Sequence, residues 1–233
     1  MKTVLLAIFV LATSLSSEAW ADENWQDALS RMPLGERVTE LNRTNAIPLM
    51  LNAFQSNSVV KALVFMPGAA DDFVFYRRAR ATLTNTNPSL LDAVAALTNQ
   101  THIRVEFRPP FLLLCTTEDT LGPIATVKSK SSAAKLQARI VPGRIYFYDC
   151  NWDYVRAALR KKLSVSVRPF SNAPDSWHIW PANFAAYGLT QWELLEATAR
   201  SNKTIFTLHW LTADFCLDAR SGPVQDLQAF PPH

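Results

Sequence analysis

The sequence predicts an α+β protein made of two similar small domains, each a short mixed sheet with two helices packed on one face. Three observations predict it. Apolar periodicity alternates between helix-like and strand-like along most of the 233 residues. Two stretches each read as a capped helix feeding a strand, one over 87–107 and one over 187–210. The matching strings also keep a nearly constant spacing. Leu90-Leu91-Asp92-Ala93 recurs as Leu194-Leu195-Glu196-Ala197 at an offset of 104, and Phe73-Val74-Phe75-Tyr76 as Trp177-His178-Ile179-Trp180 at the same offset. Ile47, Met50 and Phe54 recur as Trp152, Val155 and Leu159 at 105. An internal duplication accounts for these offsets; chance recurrence of a common amphipathic string is the alternative.

Residues 1–21 read as a signal peptide. Lys2 opens it, an apolar run over 4–12 is too short to span a bilayer, and Ala19-Trp20-Ala21 is a small-x-small cleavage site. The alternative is a retained anchor. No later stretch is long and apolar enough to be a transmembrane segment. The expectation is an exported bacterial protein, periplasmic or secreted. Three sequons (Asn42, Asn99, Asn202) would matter only in a eukaryotic secretory pathway.

Residues 22–36 hold an N-terminal helix with Trp25, Ala28, Leu29 and Met32 on one side. The first α+β domain spans 37–117. It begins with a weak strand over 37–42, then a helix after Asn45 and a strand over 61–66 closed by Pro67-Gly68. A strand over 73–76 follows. Asn87 as N-cap and Pro88 at the first helical position start the next helix. Ile103, Val105 and Phe107 alternate with Arg104, Glu106 and Arg108, which marks a half-buried strand, and 111–115 is an apolar strand beyond Pro109-Pro110. Residues 118–143, with Lys128-Ser129-Lys130-Ser131-Ser132, read as a linker with some local structure.

The second domain spans 144–220. A strand over 145–148 leads to a helix capped by Asn151, a strand around Val165 and Val167, and an aromatic strand over 177–180. Thr190-x-x-Glu193 is a capping box opening the next helix. Strands around 206–210 and 215–217 follow, and 221–233 is a loose tail.

Residues 145–217 resemble the secretin and TonB short N-terminal (STN) domain, and 37–115 resemble it more loosely. The residues carrying the resemblance are Ile145-Tyr146-Phe147-Tyr148, the helix over 152–163, Leu194-Leu195-Glu196-Ala197 and the strand over 205–210, with Ser201-Asn202-Lys203 in place of the family's usual Thr-Gly. The resemblance implies a non-catalytic module working through protein contacts.

A net charge of +3 without a basic cluster excludes a nucleic-acid-binding footprint. No Cys/His pattern has metal-site spacing, and no cofactor is expected. In an oxidising compartment Cys115, Cys150 and Cys216 allow one disulfide, with its pairing open. Trp177, Trp180, Arg77 and Arg78 are candidate binding residues, aromatic platforms and a short basic run for an envelope protein or a second copy of the chain. The alternative function is an α/β-hydrolase-like enzyme. Asp119, after the apolar strand over 111–115, would be its acid and His178 its base. That fold needs a nucleophile on a Gly-x-Ser-x-Gly elbow, and none of the six glycines supplies one.

Overall fold

The structure, a computed structural model, describes residues 24–35, 37–66, 79–116, 125–127, 130–164, 166–169, 181–202, 205–208 and 214–218. The α+β class holds. The first half runs α1 (Trp25–Ser30), β1 (Glu40–Leu41), α2 (Ala46–Ala53), β2 (Ala62–Phe65), β3 (Ala81–Thr82), α3 (Leu90–Gln100), β4 (Ile103–Arg108) and β5 (Phe111–Thr116). After β6 (Ala125–Val127), the second half runs α4 (Lys130–Ala138), β7 (Arg144–Cys150), α5 (Trp152–Lys162), β8 (Ser166–Pro169), β9 (Ala182–Tyr187), α6 (Gln191–Asn202), β10 (Ile205–Leu208) and β11 (Asp214–Asp218).

Both halves therefore read helix, strand, helix, strand, strand, helix, strand, strand. Their ladders recur too. β1 pairs antiparallel with β3 as β7 does with β9. β2 runs parallel to β5 as β8 does to β11. β4 is antiparallel to β5 as β10 is to β11. Even an isolated bridge recurs, Pro33 with Ser89 and Ile140 with Thr190. In the first, Leu90 N–H donates to Met32 O at 2.7 Å; in the second, Gln191 N–H donates to Arg139 O at 2.7 Å.

The halves share a sheet. β2 of the first pairs antiparallel with β9 of the second, giving the order β4-β5-β2-β9-β7. Strand alternation then divides the burial between two cores. Leu63, Phe65, Leu112 and Leu114 point toward α1, α2 and α3, in a core with Leu29, Ile47, Met50, Leu90 and Leu97. Ala62, Val64, Phe111, Leu113 and Cys115 point the other way, into the core of Leu136, Val155, Leu159, Leu194 and Leu195 from α4, α5 and α6. Each half thus covers one face. Both faces of β2 are buried, and its four residues are apolar throughout, as a doubly covered strand requires. A second sheet, β6-β10-β11-β8, and the short β1-β3 pair complete the layers.

Local sequence sets the element ends. Asn24 caps α1, its Oδ1 accepting from Gln26 N–H at 3.2 Å, and Asn151 caps α5, accepting from Tyr154 N–H at 3.0 Å. The Thr190–Glu193 box forms: Glu193 N–H donates to Thr190 Oγ1 (3.1 Å) and Thr190 N–H to Glu193 Oε2 (2.7 Å). The start of α3 differs from the expectation. Its cap is Ser89, boxed with Asp92, and not Asn87 with Pro88. The two boxes stand 101 residues apart, whereas the Leu-Leu strings stand 104 apart. Three residues is close to one turn, which keeps the Leu-Leu pairs in near-equivalent positions.

The local structure in residues 118–143, expected as a linker, comprises β6 and α4, and Leu136 of α4 is fully buried. The polar start of that helix hid a single anchoring leucine. The expected strands over 73–76 and 177–180 lie outside the described residues. The strands that pair with β1 and β7 are β3 and β9. Gly188, at φ +56°, turns the chain from β9 toward α6.

Candidate functional site

The sheet order gathers chain ends. β2, β5 and β7 run in one direction and β9 in the other. The C-terminal ends of β2 and β5 and the N-terminal end of β9 therefore lie at one end of three neighbouring strands. Met66, Thr116 and Pro181 are the described anchors there. From them depart the segments 67–78, 117–124 and 170–180, which carry Arg77 and Arg78, Asp119, and Trp177, His178 and Trp180. All six of those candidate residues lie outside the described residues.

The described part of this end is a polar cluster at the mouth of the shared ladder. β7 bulges between Phe147 and Cys150, and Asp149 takes φ +49°. Asn183 of β9 accepts Asp149 N–H on its Oδ1 at 2.8 Å and donates from Nδ2 to Pro181 O at 3.0 Å. Asn183 N–H donates to Ser201 Oγ at 2.6 Å, and that hydroxyl donates to Phe65 O at 3.3 Å. Ser201 thus bridges β9 and β2 where their direct ladder stops. Both side chains are buried, at 1% and 0% exposure, so the bonds replace water that could not reach them.

The cluster ties β9 to β2 and to the β7 bulge. Among the described residues the Ser201 hydroxyl donates to the Phe65 carbonyl and accepts the Asn183 N–H. Cys115 and Cys150 are the two cysteines whose side chains are described. Burial pushes the Cys150 thiol up, with a hydrogen bond to the Tyr148 backbone only partly opposing. Cys115 is fully buried on β5, its Sγ accepting Arg104 Nε–H at 3.2 Å. Cys115 on β5 and Cys150 on β7 lie on strands separated by β2 and β9, so these two are not paired with each other. The Cys216 backbone lies in β11 of the other sheet. The described histidine, His102, sits exposed in the α3–β4 turn, and no cluster with metal-ligand geometry occurs among the described residues.

Sequence reasoning missed a tie at the opposite end of the ladder. Arg144 opens β7 and donates from Nη2 to Leu51 O, in the last turn of α2, at 2.8 Å. There it meets an unsatisfied helix carbonyl and the negative end of the dipole. Its guanidinium lies 5.1 Å from the Tyr146 ring centroid and 5.7 Å from that of Tyr187. Burial pushes the Tyr146 phenol up, and Arg144 works against that shift. Ser201 had one signal, its place in the segment that departs from the Thr-Gly pattern. Arg144 had none, because a basic residue opening a strand is commonplace.

No helix of the described residues is long and apolar enough to cross a membrane. No protein-family model, curated protein or solved structure matches the chain.

Proposed function

We propose that this chain is an exported, non-enzymatic protein of the cell envelope, built from two STN-like units in tandem and working through protein contacts. The observation that carries the proposal is the recurrence of one eight-element order with the same three kinds of ladder. That order contains the strand–helix–strand–strand–helix–strand order expected of both copies. Ser201 and Cys115 are buried and hydrogen-bonded, and burial raises the Cys150 thiol, which suits structural roles for these three groups.

The experiment is photo-crosslinking in the intact envelope, with a photoreactive residue placed at exposed Tyr154 of α5 or exposed Ile140 before β7, alongside an ester-hydrolysis screen of the purified protein. Discrete crosslinked species without turnover are the expected result. Turnover abolished by Asp119→Asn and by His178→Asn would overturn it in favour of the hydrolase.

A further inference from the structure

We propose that the outer edge of β4 is a self-association surface, pairing antiparallel with β4 of a second copy about Val105. This deepens the protein-contact reading by naming surface, partner and register.

Among the described residues β4 pairs on one side only, with β5. Its counterpart β10 has the equivalent edge covered by β6, which runs parallel to it from Ala125 to Val127. β4 is six residues long and forms one outer edge of the five-stranded sheet among the described residues, β7 forming the other.

The ladder fixes which peptide groups face outward. On β5, Pro110 O and Leu114 O accept from Lys61 and Met66 of β2 at 2.9 and 2.8 Å. Alternation then turns the groups of Phe111, Leu113 and Cys115 toward β4, opposite Arg108, Glu106 and Arg104. The N–H and C=O groups of Ile103, Val105 and Phe107 are left pointing away from the sheet.

Charge then selects one register. Self-pairing must oppose outward residues with outward residues. Centring on Glu106 sets Glu106 against itself and Arg104 against Arg108; centring on Arg104 sets Arg104 against itself. Both place like charges across the ladder, which destabilises it. Centring on Phe107 brings in Pro109, which has no N–H to donate. Centring on Val105 sets Arg104 opposite Glu106 twice and keeps 103–107 free of proline. On the other face it brings Ile103 of one copy beside Phe107 of the next. Phe107 and Trp25, with ring centroids 6.3 Å apart, are half-buried at this margin of the first core. The product has two-fold symmetry and one continuous sheet, so it closes on itself as a dimer.

The test is sedimentation equilibrium of the purified protein across a wide concentration range. Wild type is expected to approach twice the monomer mass. Arg104→Glu alone and Glu106→Arg alone each oppose like charges twice, so each should weaken the dimer by about tenfold or more. The double swap restores opposite charges and should restore dimerisation, while Val105→Pro should abolish it. A monomer at all concentrations, or a double swap as weak as the single variants, would overturn the proposal. A monomer that still gives discrete envelope crosslinks would end self-pairing alone and leave the protein-contact reading standing.

Discussion

Phe184→Ala probes whether the two halves are energetically one body. Phe184 lies on β9 opposite Val64 of β2 and is fully buried. Its ring meets Phe147 edge-on, with centroids 5.0 Å apart and planes at 68°. Removing a buried phenylalanine costs about 3–5 kcal/mol, because transfer energy and a residual cavity add. The lost aromatic pair, worth about 0.5–1.5 kcal/mol, argues for the upper part of that range. With a urea slope of about 2–3 kcal/mol per molar, the unfolding midpoint should fall by roughly 1–2 M. The assay is fluorine NMR of fluorotryptophan-labelled protein, following Trp25 in the first half and Trp152 in the second through a urea titration. Because β2 belongs to both cores, the two signals should shift together although Trp25 belongs to the first core and Phe184 to the second. A Trp152 midpoint that moves while Trp25 stays would refute the coupling and make the β2–β9 ladder a contact between independent domains.

Other expectations concern single groups. Ser201→Ala strands the buried Asn183 N–H and should cost about 1–3 kcal/mol, with Ser201→Thr milder than Ala by chemical denaturation. Hydrogen bonds from Ser89 hold the Asp92 carboxyl below its ordinary value. A carboxyl lowered in the folded state stabilises above its unfolded value and loses that contribution as pH falls through the lower, folded one. Asp92→Asn should therefore remove about 0.5–2 kcal/mol at neutral pH and flatten the acid limb of a stability–pH curve. Gln100 bonds both outward peptide groups of Thr82, accepting its N–H at 2.9 Å and donating to its O at 3.0 Å. Gln100→Ala should speed hydrogen exchange at Thr82 while costing only about 1 kcal/mol globally. In a thiol-reactivity assay Cys150 should stay slow at neutral pH and accelerate only above the ordinary thiol range, and Cys115 should react only on unfolding.

Elements whose signals are local could be read from the chain. Thr190 and Glu193 sit three apart before an apolar run, and the structure closes that box. The alternation of Ile103, Val105 and Phe107 marks β4 with its partner still unknown. At the start of α3, Asn87-Pro88 and Ser89 are rival local signals, and only Asp92 at the right distance decides between them. β9 was not legible. Its Ala182-Asn183-Phe184-Ala185-Ala186-Tyr187 has few strand-forming side chains. Alanines suit that place because α2 packs on one side of the strand and α6 on the other. Nor could any local pattern announce that β2 and β9 pair, since that ladder is a property of two distant surfaces. The candidate residues at 77, 78, 119, 177, 178 and 180 were chosen by residue type. Only the topology reveals that the segments bearing them leave from one end of adjacent strands.

The shared strand also sets a schedule. The ribosome finishes β2 and β5 long before β9 exists, and Val64 waits 120 positions for Phe184, its cross-strand neighbour. At about 5–20 residues per second that interval lasts on the order of 6–24 seconds. Throughout it the first half can close one core, yet Ala62, Val64, Phe111 and Leu113 face no cover and the β2 edge has no mate. Such a nascent chain presents both an apolar face and an open ladder, the two features by which unfinished sheets stick to one another. Truncation after Thr116 would make that interim permanent, so a fragment ending there should be found in inclusion bodies or bound to a holdase, while the same residues remain dispersed when the second half follows.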